Sequence, residues 1–123
     1  MRHKLIVGLL AMAALAAEAQ TPQRVFFHTV TGEYLVNLCK VAELDSRDPC
    51  LNYIAGFTDG YATGMIVFNN SQQARFCPSR EVTPFEMAKV LVKYGNDHPE
   101  DLSTRAALFT AYALKDAYPC QEP

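Results

Sequence analysis

The sequence of 123 residues has no excess of positive charge and no C-x-x-C pair, and it contains only three histidines. Its formal net charge is −2 at pH 7, whereas nucleic-acid-binding proteins present a basic surface, so nucleic acid is not expected as a partner. The missing C-x-x-C pair argues against thiol–disulfide exchange chemistry. His28 and His98 are too far apart in sequence to form a helical zinc pair, so neither a metal nor a cofactor is predicted.

No apolar run is long enough to span a membrane, and the longest one lies at the start of the chain. Arg2 and Lys4 precede an apolar run over residues 5–16, and a small-x-small cleavage site ends at Ala19. A run of about 12 residues is too short to span a bilayer. We therefore predict a signal peptide at residues 1–19, cut after Ala19, and one mature domain at residues 20–123 that resides in the periplasm and not in a membrane.

Four cysteines follow the predicted cleavage site: Cys39, Cys50, Cys77 and Cys120. An even number of cysteines in an exported chain predicts disulfides. Four cysteines allow three pairings, and spacing alone does not choose among them. If the first two helices and the last two helices each form an antiparallel hairpin, the arrangement favours the pairs Cys39–Cys50 and Cys77–Cys120.

Helical periodicity and capping signals predict an all-α domain of four helices. The predicted helices cover residues 32–43, 49–68, 84–94 and 103–117. The sequence Thr83-Pro84-Phe85-Glu86 is the clearest local signal, because it combines a capping box with proline at the first helical position. Gly95 is predicted to end the third helix.

The second helix contains three glycines four residues apart: Gly56, Gly60 and Gly64. Each glycine in a helix costs about 1 kcal/mol relative to alanine. We therefore interpret the three as helix-packing residues that let a second backbone approach, either within the chain or in a homodimer, and expect this helix at the packed centre of the fold. The alanine-rich last helix is expected to lie against them. A ligand on the glycines is the alternative.

A polar stretch after Phe68 is the longest predicted loop, and binding residues often lie on such loops. Its candidate partner-binding residues are Asn70, Gln72, Gln73 and Arg75. No catalytic residue is predicted. Asp59 is interpreted as a polar edge of the second helix, and His98 as a turn or capping residue.

Several segments recur together in one known family: Leu38-Cys39, residues 50–56 with Asp59, Cys77-Pro78, Val82-Thr83, Tyr94 with His98-Pro99-Glu100, and Ala113-Leu114 leading to Tyr118-Pro119-Cys120. In the order of these segments and in its four cysteines, the chain resembles the Rap/Tai family of type VI secretion immunity proteins over about residues 27–120. The resemblance implies an exported, disulfide-bonded helical protein, often a homodimer. It also implies binding to a cognate peptidoglycan amidase effector, a Cys–His hydrolase whose active site the immunity protein blocks.

The leading interpretation is therefore a periplasmic protein that inhibits a cell-wall amidase and is not itself an enzyme. A periplasmic structural or chaperone-like protein without a toxin partner is the runner-up. A third interpretation is a small-ligand carrier that uses the glycines of the second helix.

Overall fold

A computed structural model describes residues 30–68 and 75–121, and those residues form four helices and no strand. The helices are α1 (Gly32–Lys40), α2 (Pro49–Val67), α3 (Pro84–Asp97) and α4 (Ala106–Ala117), with a short 3-10 turn at Pro99–Asp101 between the last two. The all-α, four-helix prediction is confirmed. Within the described residues no helix is both long and apolar enough to cross a membrane.

Local capping signals set the helix starts. The Thr31 hydroxyl accepts from the Tyr34 N–H at 3.3 Å, and Asp48 accepts from the Leu51 N–H at 2.9 Å. At α3 the predicted capping box is present, with Thr83 and Glu86 each accepting from the other's backbone N–H. Each side chain satisfies a backbone donor that has no partner within its own helix.

α1 and α3, not α2, form the packed centre of the bundle. Each contacts all three other helices, and α3 buries Met87, Ala88, Leu91 and Gly95. In α2 the buried residues are Cys50 and Ile54, both in the first two turns. The expectation that α2 forms the packed centre is therefore wrong, because the bundle extends along only the first part of this helix of 19 residues.

Gly95 does not end α3, which continues to Asp97 and is capped by His98. The glycine is buried in the last turn, where a Cβ atom would lie 2.8 Å from Val36 Cγ2 and 3.2 Å from Leu102 Cδ2. The residue is small because α1 and the chain after α3 approach it closely. Pro99 then starts the 3-10 turn.

Two disulfides link the ends of the helices, and they are the predicted pairs. Cys39–Cys50 joins the end of α1 to the start of α2, with a Cα–Cα distance of 5.1 Å. Cys77–Cys120 joins the segment ahead of α3 to the chain after α4, with a Cα–Cα distance of 4.9 Å. The helical hairpins thus bring together cysteines 11 and 43 residues apart.

Candidate docking surface

Aromatic side chains of α2 pack on a short segment of chain that follows the helix. Phe76 is 4% exposed, and its ring centroid lies 4.3 Å from that of Tyr61 and 6.2 Å from that of Phe57. These stacked rings attach one side of α2 to the segment at residues 75–78. The opposite side of the helix is left at the surface.

The segment at residues 75–78 is held by four contacts. Phe76 is buried, the Cys77 N–H donates to the Tyr118 carbonyl at 2.8 Å, and Cys77 is bonded to Cys120. At its start, the Arg75 N–H donates to the Tyr61 hydroxyl at 2.6 Å. The chain that leaves α2 at Phe68 therefore returns to a fixed position on the same helix.

Of the four predicted partner-binding residues, Asn70, Gln72 and Gln73 lie outside the described residues. Arg75 is described and exposed. Its backbone contact with Tyr61 places the end of the predicted binding loop beside α2, and its side chain is available at the surface.

An apolar end of α2 leads into this loop. Ile66 is 79% exposed, Val67 66% and Phe68 73%. We call these three residues the apolar end. Contiguous exposed apolar residues mark sites of protein contact more often than isolated ones do. Sequence reasoning missed this surface, although the run Met65-Ile66-Val67-Phe68 gives a signal, since one buried helix face cannot accommodate four consecutive side chains.

The three glycines of α2 are also at the surface of the chain. A Cβ atom built on Gly56, Gly60 or Gly64 would meet nothing within 4 Å. The expectation that α4 or another part of the described chain packs closely on them is therefore wrong. Packing on a second molecule remains a prediction. The three glycines still cost about 1 kcal/mol each in helix propensity, and the described chain offers no contact that requires them.

A second surface, which the sequence did not indicate, is a groove of about 490 Å³ between α1 and α3. Ala88 and Phe85 line its floor, and Lys40, Lys89 and Lys93 stand at its edge. The Lys89 ammonium lies 4.8 Å from the centroid of the Phe85 ring, and Lys93 is paired with Asp97. The groove is thus positively charged at its edge, whereas the chain as a whole has a net negative charge.

His98 has a structural role at the end of α3, as predicted. It caps the helix, stacks on Tyr94 with ring centroids 4.3 Å apart, and places Nδ1 3.1 Å from Glu100 Oε1. The Tyr94 hydroxyl donates to Asp101 at 2.7 Å. Desolvation, together with the neighbouring Asp101, raises the pKa of Tyr94 to about 12, so its hydroxyl stays protonated at neutral pH.

Potential ligand atoms of His98, Glu100 and Asp101 lie within 4.8 Å of one another. The His98 and Asp101 atoms are already engaged with Glu100 and Tyr94, and Glu100 is exposed. Across residues 30–68 and 75–121 no cysteine is free to serve as a nucleophile. Asp59 is exposed on the outer side of α2.

Comparison with known families gives a match that covers most of the chain. The family model for the Rap1a immunity proteins matches residues 31–120. That range includes all four helices and both disulfides. No curated protein and no solved structure matches the chain.

Proposed function

The chain belongs to the Rap1a immunity proteins, and we propose that it protects the cell wall by binding and inhibiting a peptidoglycan amidase effector of a type VI secretion system. The inhibited enzyme is a Cys–His hydrolase, and the protein acts in the periplasm as a homodimer. Occupying the amidase cleft accounts for protection without any reaction catalysed by this chain.

The observation that carries the proposal is the apolar end of α2 next to the anchored loop. Ile66, Val67 and Phe68 are largely exposed, and the chain returns from them to Tyr61 at Arg75. An exposed apolar surface beside a polar loop has the composition of a protein interface, in which apolar anchors are surrounded by a polar rim. The loop is the part that enters the amidase cleft, and the apolar end packs on the rim of the cleft.

The attachment of the chain at residues 75–78, where the loop ends, supports the proposal. Phe76 is buried against Tyr61, and the Cys77–Cys120 bond connects the end of the loop to the chain after α4. A loop whose ends are fixed loses less conformational entropy when it binds than a free segment does. The same segment therefore binds more tightly when it is attached to this scaffold.

Two disulfides support a periplasmic location, since such bonds form and persist in oxidising compartments. The predicted signal peptide at residues 1–19 lies outside the described residues. Cleavage after Ala19 is tested by N-terminal sequencing of the protein recovered from periplasm, which should begin at Gln20.

The proposal is tested with secreted Cys–His amidases from candidate effector sets, each co-expressed in the periplasm with this protein and scored by survival. For the amidase that is neutralised, the inhibition constant is then measured with Phe68→Asp and with a triple variant, Gln72→Ala, Gln73→Ala and Arg75→Ala. Each change should weaken inhibition by about tenfold or more, as expected for a central interface residue or for the loss of several contacts.

Leu44→Asp is the matched control, since Leu44 is 81% exposed on the turn between α1 and α2. It adds the same charge at an exposed leucine away from the apolar end and should leave inhibition unchanged. All variants should keep the helical circular dichroism of the wild type. Equal inhibition by wild type, Phe68→Asp and the triple variant would exclude this surface, and failure to neutralise any amidase would exclude the function.

A further inference from the structure

We propose that the groove between α1 and α3 binds an acidic segment of a second partner protein, one that carries carboxylates beside an apolar side chain. Cys39 and Ala88 form the buried floor of the groove, and Lys40, Lys89 and Lys93 stand at its edge. The proposal adds a partner to the amidase of the proposed function and does not depend on that amidase.

The groove lies far from the apolar end of α2. Cys39, on its floor, is bonded to Cys50 in the first turn of α2. The helix has 19 residues and is therefore about 28 Å long, and the apolar end lies at its other end. A short segment seated in the groove therefore contacts residues that the proposed amidase site does not use.

Positive charge is concentrated at this groove. Three of the five lysines of the chain line it, and Asp97 is the one acidic residue among the lining residues. Lys93 donates to Asp97, but an ammonium group has three N–H donors and keeps two for another acceptor. Within residues 30–68 and 75–121, neither Lys40 nor Lys89 forms an ion pair. In a chain of net charge −2, this local excess of positive charge attracts carboxylates.

An apolar surface lies directly beside the lysines. Phe85 lines the groove and also a neighbouring recess of about 310 Å³, which Leu51, Ala55 and Pro84 help to form. The Lys89 ammonium lies 4.8 Å from the centroid of the Phe85 ring. A segment with an apolar side chain in the recess therefore places its adjoining carboxylates at the lysines.

The shape of the groove favours a protein segment over a membrane or a small anion. Ala88 is 2% exposed and Cys39 6%, whereas the three lysines are exposed, so a flat bilayer would meet the lysines and leave the floor uncovered. A small anion would also leave the floor and the recess uncovered. A polypeptide fills both, because apolar and acidic side chains alternate along one backbone, and seating in a groove is a common mode of peptide recognition.

The test uses the mature, disulfide-bonded chain and a fluorescently labelled peptide built from glutamate and leucine, with binding followed by anisotropy. Lys40→Glu with Lys89→Glu should raise the dissociation constant by about tenfold or more, because both positive charges at the peptide are reversed. Arg80→Glu with Lys115→Glu is the matched control, since it makes the same change in net charge at two exposed residues outside the groove. All variants should keep the helical circular dichroism of the wild type.

Two further measurements locate the peptide. Backbone amide chemical shifts should change most at Ala88, Lys89 and Val92 when the peptide is added, and a peptide of glutamate and serine should bind at least about tenfold more weakly than the leucine peptide. Shifts centred elsewhere, equal weakening in both double variants, or no binding of the glutamate–leucine peptide would each overturn the proposal. So would binding to phosphatidylglycerol vesicles, but not to the peptide, that the groove variant loses, since it would assign the lysines to a membrane.

The amidase assay separates this proposal from the proposed function. The groove variant, Lys40→Glu with Lys89→Glu, should inhibit its amidase as the wild type does, and Phe68→Asp should bind the peptide as the wild type does. If the groove variant instead weakens inhibition, the groove belongs to the amidase interface, and the second partner is refuted while the immunity function stands. Peptide binding in a protein that neutralises no amidase would refute the proposed function alone.

Discussion

Removal of the Cys77–Cys120 bond tests whether inhibition depends on the link between the end of the candidate binding loop and the chain after α4. The change is the double substitution Cys77→Ala and Cys120→Ala, and the matched variant is Cys39→Ala with Cys50→Ala. The first bond spans 43 residues in sequence and the second 11. In the chain-entropy model their removal lowers the free energy of unfolding by about 4 and about 3 kcal/mol.

The two bonds constrain different parts of the molecule. Cys39 and Cys50 are both buried, so alanine there leaves a cavity as well as a freer chain, but the cavity lies away from the loop. Loss of Cys77–Cys120 leaves the segment held by Phe76 and by the hydrogen bond to Tyr118. We therefore expect both variants to be less stable, and the one without Cys77–Cys120 to inhibit its amidase more weakly when folded.

Urea unfolding followed by far-ultraviolet circular dichroism gives the free energy of unfolding for the wild type and both variants. Inhibition is then measured at a temperature where each variant retains the wild-type helical signal. A loss below about 1 kcal/mol for Cys77→Ala with Cys120→Ala would contradict the loop-closure estimate. Inhibition equal to that of the wild type would show that the loop does not depend on the bond.

Two further predictions concern local contacts. Gly32→Ala should destabilise the fold by about 1–3 kcal/mol, as is typical of overpacked cores, because its Cβ would lie 2.7 Å from the fully buried Phe109 ring. Glu33→Ala, at the exposed neighbour, is the control in urea unfolding, and equal losses would contradict the packing argument. Backbone N–H groups of Glu43 and Leu51 lower the pKa of Asp48, so its contribution to stability is present above the ordinary aspartate value of 3.8 and is lost as pH falls through the lowered pKa. Asp48→Asn should reduce stability at pH 7 and flatten its decline between pH 5 and pH 2 (about the range in which carboxylates titrate); thermal unfolding profiles that remain parallel to the wild type would refute this.

The parts of the fold that sequence predicts well depend on neighbours along the chain. Thr31, Asp48 and Thr83 cap helices through donors three residues away, so the pattern needs no tertiary information. The disulfide pairing also followed from chain order, since short connections make neighbouring helices antiparallel. The central position of α1 and α3 did not follow, because the packing of each depends on contacts with three other segments of the chain.

Glycine shows where the sequence signal ends. Gly32, Gly60 and Gly95 look alike in the sequence as residues that weaken a helix, and the sequence does not locate a neighbour that would require a small residue at any of them. In the fold, the close neighbour of Gly32 is Phe109 and that of Gly95 is Val36. At Gly60 the space is open, although the loss of helix propensity is the same. Helix propensity is a property of each residue, whereas packing depends on the whole fold, so the sequence shows the same cost at all three positions but not which of them a neighbour within the chain explains.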